Sequence, residues 1–165
     1  YQSYPVAVDA VRTGLQTARV AGRFEVISGP VTWIFDVAHN VDSTQALADN
    51  LCKMSCTGTT RALFSTLQDK DLFNIMDNIA NMIDEWFLCP LETSRGRSFT
   101  QIENDLEALK LHDTNEILKA AKLFNTVEAA IKALQSESVV GDRIVVFGSF
   151  ILVAEAMSVI QGLQS

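Results

Sequence analysis

Asp36, His39 and Asn40 close the stretch WIFDVAHN, so a run of strand-forming residues delivers a carboxylate, an imidazole and an amide together. A histidine titrates near neutral pH, and with a carboxylate three residues away it suits proton transfer or the orientation of an amine. The pair could also be half of a metal site. No second acidic or histidine cluster stands at ligand spacing, however, and His112 is read as a loop residue far along the chain. Taken alone, Asp36 could equally cap the next helix and His39 could be a surface residue at a turn. A second candidate is Gly148-Ser149, where RIVVF meets a helical segment beginning near Phe150. The free N–H groups of a helix start there favour a phosphate or carboxylate.

These side chains need elements to bring them together. Strand-like runs cover residues 24–27, 31–37, 61–66, 85–89 and 143–148. Between them apolar residues recur at helical spacing: Thr44, Leu47, Ala48 and Leu51; Leu72, Ile75, Met76, Ile79 and Ile83; Val127, Ala130, Ile131 and Leu134; and finally Val153, Ala156, Met157 and Ile160. Thr100-x-x-Glu103 and Asn125-x-x-Glu128 read as capping boxes, and residues 5–18 as a lead-in helix. The alternation predicts an α/β fold, a Rossmann-like, mostly parallel sheet with helices on both faces. One antiparallel strand is expected, because only Ser28, Gly29 and Pro30 separate the first two runs. In such sheets ligands bind beyond the carboxyl ends of the strands. One edge should therefore gather His39 and Asn40; Asp69, Lys70 and Asp71; Glu92, Ser94, Arg95 and Arg97; and Gly148 and Ser149. Individually, LQDKD is an ordinary solvated loop and Arg95 and Arg97 ordinary surface charges.

Composition limits the function. With 165 residues, 48% of them apolar, the chain should fold as one domain, residues 1–165, with a substantial core. A net charge of −7 opposes a nucleic-acid partner. Cys52, Cys56 and Cys89 match neither a disulfide framework nor a zinc ribbon and read as reduced core thiols, which places the protein in the cytoplasm. No apolar run approaches the ~20 residues of a membrane span, and no secretory leader is visible. FGSF contains half of a nucleophile elbow but lacks its second glycine, and Asp36 and His39 precede the serine, which argues against a hydrolase. Neither G-x-x-x-x-G-K-[ST] nor G-x-G-x-x-G occurs. If the chain handles ATP, another domain supplies the phosphate-gripping loop.

AGRFEVI, IFDVAHN, LQDKD, EWFLCPLETSRG and VVFGSF occur here in the order, and at about the spacing, found in the C-terminal domain of folylpolyglutamate synthase / dihydrofolate synthase, a branch of the Mur ligase superfamily. The chain resembles that domain from about Gly14 to its end. The resemblance implies ATP-dependent activation of the carboxylate of dihydropteroate or folate as an acyl phosphate, followed by attack of the amine of L-glutamate. It implies that Arg23 reaches the ATP phosphates, that Asp36 also contacts ATP, that His39 stands beside the incoming glutamate and the reaction centre, and that Ser149 approaches the glutamate site. An N-terminal P-loop domain, absent from this chain, would hold magnesium and most of the folate, so the fragment alone should be inactive. Val41 replaces the family's usual proline after AHN, and Ile151-Leu152 replaces the histidine-containing end of GSFHTV. Two alternatives stand beside this expectation: a free-standing small-ligand binding domain of the same fold, and the C-terminal domain of another Mur-type ligase.

Overall fold

The computed structural model describes residues 22–112, 118 and 120–163; the expected lead-in helix over 5–18 lies outside them. The chain runs β1 (Glu25–Ile27), β2 (Thr32–Asp36), α1 (Val41–Cys52), β3 (Thr60–Phe64), α2 (Leu72–Ile79), β4 (Glu85–Leu88), α3 (Phe99–His112), β5 (Lys122–Leu123), α4 (Val127–Glu137), β6 (Arg143–Phe147) and α5 (Phe150–Leu163). The six strands lie in the order β1-β2-β6-β3-β4-β5. β1 pairs antiparallel with β2, and the remaining pairs are parallel.

A strand buried on both faces must be apolar at every position, with successive side chains serving opposite layers. Ile34, Ala62, Phe64, Trp86, Leu88, Val145 and Phe147 pack with the buried residues of α1, α2 and α3. Their neighbours Phe35, Leu63, Phe87, Ile144 and Val146 pack with α4 and α5. On the first face Phe64 and Phe147 lie 4.8 Å apart and Trp86 meets Phe64 edge-on at 5.9 Å. Each such ring, fully buried, stabilises the fold by roughly 2–3 kcal/mol.

This layering creates the crevice. β6 lies between β2 and β3. The chain leaves β2 and β3 toward the layer of α1–α3 but leaves β6 toward the layer of α4 and α5. Loops therefore diverge at the carboxyl ends of these three strands, which is where a parallel sheet opens to a ligand.

Several local expectations shift. α3 is capped by the reciprocal pair Ser98 and Gln101, two residues ahead of the predicted Thr100 box. α4 is capped by Thr126 rather than Asn125, its hydroxyl accepting from Ala129 N at 3.1 Å. His112 ends helix α3 instead of lying in a loop. Only Cys89 is a core thiol, its titration pushed up to about 12 mainly by burial; Cys52 is exposed and Cys56 half-buried.

Candidate functional site

A cleft of about 290 Å³ opens at this crevice. Its polar lining is His39 from the end of β2, Lys70 from the loop after β3, Arg95 from the loop after β4 and Ser149 at the start of α5; Leu67, Phe150 and Ile151 form its apolar part. Four segments far apart in sequence thus contribute one side chain each, as the sheet-edge rule predicts.

His39 is half-buried, and its Nδ1 stands 2.8 Å from the carbonyl of Val37. A carbonyl can only accept, so Nδ1 carries the proton and a neutral ring keeps its lone pair on Nε2. Asn40 next to it caps α1: its side chain accepts from Ser43 N at 2.9 Å, and Ser43 Oγ accepts from Asn40 N at 3.2 Å. Helix α1 then begins at Val41, the first helical position, which a proline would also fit.

The two loops on the far side of the cleft are stapled to each other. Gln68 N donates to Arg95 O at 3.0 Å, and Gln68 Nε2 donates to Gly96 O at 2.7 Å. Arg97, grouped with the edge cluster by sequence, turns away from the cleft: it donates to the Lys70 carbonyl at 2.6 Å and pairs with Asp105 of α3. Asp69 lies between Lys70 (3.3 Å) and Arg95 (3.5 Å). The Lys70 ammonium beside it holds its carboxyl below the usual range. These two cations are therefore spaced and oriented from outside the cleft.

Ser149 is 6% exposed and its Oγ accepts from Leu152 N at 3.0 Å. It is the N-cap of α5, a role the sequence did not reveal, and among the described residues no base is hydrogen-bonded to this oxygen as a nucleophile would need. The cap leaves the N–H groups of Phe150 and Ile151 at the helix start, facing the region where an anion gains from the dipole.

Asp36 is not the cap of α1. Its Oδ2 accepts from Phe24 N at 2.8 Å and its Oδ1 from Ala38 N at 2.7 Å. Burial raises its pKa, opposed by these two N–H groups and by the charge of Arg23. Arg23 is exposed on the turn just before β1, and neither Arg23 nor Asp36 lines the 290 Å³ cleft. The predicted residues thus fall into two neighbouring groups, Arg23 with Asp36 and His39 with Ser149. The apolar part of the cleft was missed, because Phe150 and Ile151 read as ordinary helix residues.

Residues 22–150 match the family model of the Mur ligase glutamate ligase domain. The chain belongs to this family. The Mur ligase domain is 32% identical over 96% of its length to the dihydrofolate synthase/folylpolyglutamate synthase of Buchnera aphidicola, of which it spans 36%. It superposes on E. coli FolC in complex with DHPP and ADP with a TM-score of 0.82 at 31% identity, covering 98% of this chain and 36% of that one. A bifunctional folylpolyglutamate synthase/dihydrofolate synthase solved with Mn, AMPPNP and L-glutamate bound gives 0.80 at 33% identity, over 96% of this chain and 36% of that chain. The domain corresponds to the C-terminal part of these relatives.

Proposed function

We propose that this Mur ligase domain forms, as one domain, the C-terminal part of an ATP-dependent ligase that adds L-glutamate to dihydropteroate or folate. The observation that carries this is the cleft, where His39, Lys70, Arg95 and the start of α5 converge at the sheet's crevice. Relatives solved with ADP and DHPP, and with AMPPNP, Mn and L-glutamate, support the choice of ligands.

In this reading the γ-phosphoryl group passes from ATP to the folate carboxylate, giving an acyl phosphate and ADP. The amine of glutamate then attacks the acyl carbon, phosphate leaves, and an amide remains. Arg23 supplies permanent planar charge for the phosphoryl oxygens as negative charge builds on the leaving ADP. Asp36 is assigned to use of the same nucleotide, with both of its oxygens engaged by backbone N–H groups. Glutamate enters as an ammonium, which must lose a proton before its nitrogen can attack. The lone pair that the Val37 tether leaves on His39 Nε2 takes that proton. Lys70, Arg95 and the α5 start with Ser149 hold the glutamate carboxylates, and the apolar side chains around them keep water from the acyl phosphate. Magnesium is assigned mainly to the N-terminal P-loop domain; among the described residues no group of three His, Cys, Asp or Glu could hold a metal ion. When bound, it neutralises phosphate charge.

Two expectations test the reading in the full-length ligase. Arg23→Ala should raise KM for ATP by about tenfold or more, the worth of a charge-assisted hydrogen bond, while the far-ultraviolet circular dichroism stays that of the wild type. Unaltered ATP kinetics would remove Arg23 from the site. Lys70→Ala should raise KM for glutamate by a similar factor of about ten and leave KM for ATP in place. A change confined to ATP would reverse the assignment of the cleft.

A further inference from the structure

The turn that carries Arg23 is held in a way its exposure does not require. Gly22 and Phe24, on either side of Arg23, both adopt the left-handed region, with φ of +70° and +46°. For phenylalanine that conformation is costly and persists only where the surroundings impose it. Both peptide groups flanking the Arg23 Cα are anchored to the end of β2. The carbonyl of Gly22 accepts from Val37 N at 2.8 Å, and Phe24 N donates to Asp36 Oδ2 at 2.8 Å. The other carboxylate oxygen is taken by Ala38 N at 2.7 Å, one residue before His39. The Phe24 ring packs on the core beneath α1–α3. Little freedom remains for the backbone at Arg23, although its side chain stays in solvent.

We propose that Asp36 and Phe24 are positioning residues that form a latch: Asp36 acts on ATP use through Arg23, by fixing the turn from which the guanidinium is presented. The inference rests on the assignment of Arg23 to the phosphates. A free arginine would lose rotational and backbone freedom on meeting a nucleotide, and a latched one has lost the backbone part beforehand. The same carboxylate orients the start of the Ala38-His39 segment, so the nucleotide group and the glutamate group share one anchor.

A double-mutant cycle in the full-length ligase tests this. Asp36→Asn keeps the shape but places an amide NH2 against one of the two N–H donors. It should raise KM for ATP nearly as much as Arg23→Ala, about tenfold, and the double variant should be no worse than Arg23→Ala alone. Amide hydrogen exchange at Phe24 should accelerate in Asp36→Asn and stay slow in Arg23→Ala. Phe24→Gly retains the N–H but removes the ring that packs on the core and frees the backbone of the turn, so it carries the test should Asp36→Asn fail to fold; it too should raise KM for ATP only while Arg23 is present. Multiplied penalties in the double variant, or unaltered exchange at Phe24 in Asp36→Asn, would overturn the latch while leaving Arg23 at the phosphates. Unchanged ATP kinetics in Arg23→Ala would overturn the phosphate assignment and the latch together.

Discussion

Asp142→Ala is expected to destabilise the domain by about 3–5 kcal/mol, the cost of leaving one member of a buried ion pair without its partner. Asp142 is 2% exposed at the amino-terminal edge of the sheet, opposite the cleft. Its oxygens accept from Thr59 N at 2.8 Å, Val139 N at 2.9 Å and Arg61 Nη1 at 2.5 Å. Arg61, 7% exposed, also donates to Glu85 Oε2 at 2.9 Å, so one network ties the starts of β6, β3 and β4. Domains of this size are stable by only about 5–15 kcal/mol in total. Urea unfolding followed by the fluorescence of Trp33 and Trp86 should show the midpoint falling steeply, and a loss below about 1 kcal/mol would mean the pair behaves like a surface one.

The same carboxylate sets a pH dependence. Burial alone would raise its pKa, but the N–H groups of Val139 and Thr59 and the Arg61 guanidinium outweigh burial and lower it. A group whose folded pKa lies below its unfolded one stabilises above the unfolded value, near 3.9, and loses that contribution as pH falls through the folded value. The stability gap between wild type and Asp142→Asn should therefore be full at neutral pH and narrow below about pH 4. A gap independent of pH would contradict a charged Asp142 in the folded state.

The architecture was legible because strands buried on both faces leave nearly unbroken apolar runs, and RALF and RIVVF have no other use in a chain of this composition. The hairpin followed from a three-residue separation. What escaped were features decided by distant partners. β5 is two residues long and exists because β4 offers Phe87 and Leu88 an edge to pair with Lys122 and Leu123. The true caps of α3 and α4 differ from the predicted ones by a residue or two, since serine, threonine and asparagine compete for the same role and only backbone direction decides among them. Asp36 could be suspected of function, yet its partner Phe24 N lies twelve residues back in a conformation that no propensity favours for phenylalanine. Lys70 and Arg95 were visible as charges. That they share one cleft depends on the stapling of their loops through Gln68, whose side chain carries no signal of its own.

Gly148→Ala is expected to be the most damaging change for function per atom added. Gly148 has φ of +117°, a conformation reserved for glycine, and its missing Cβ would lie 2.2 Å from the carbonyl oxygen of Ser65 and 2.7 Å from the Phe64 ring. Strain and overpacking together should cost on the order of 3 kcal/mol. The functional consequence follows from position. Ser65 opens the loop that carries Leu67 and Lys70, and Gly148 opens the turn that carries Ser149 and Phe150, so a methyl group between them pushes the two walls of the cleft apart. A displacement of about 1 Å between groups that must share one substrate can lower turnover by roughly a hundredfold. Gly162 supplies the contrast: it lies on the exposed face of α5, where a methyl group would meet no atom within 4 Å, and Gly162→Ala should be neutral or stabilising by up to about 1 kcal/mol. Glutamate ligation by the two full-length variants, each corrected for its folded fraction by thermal unfolding, separates the effects. If folded Gly148→Ala enzyme turned over at the wild-type rate, the close approach of the chain after β6 to the chain after β3 would be a packing feature only, and the two walls would not need the spacing this structure gives them.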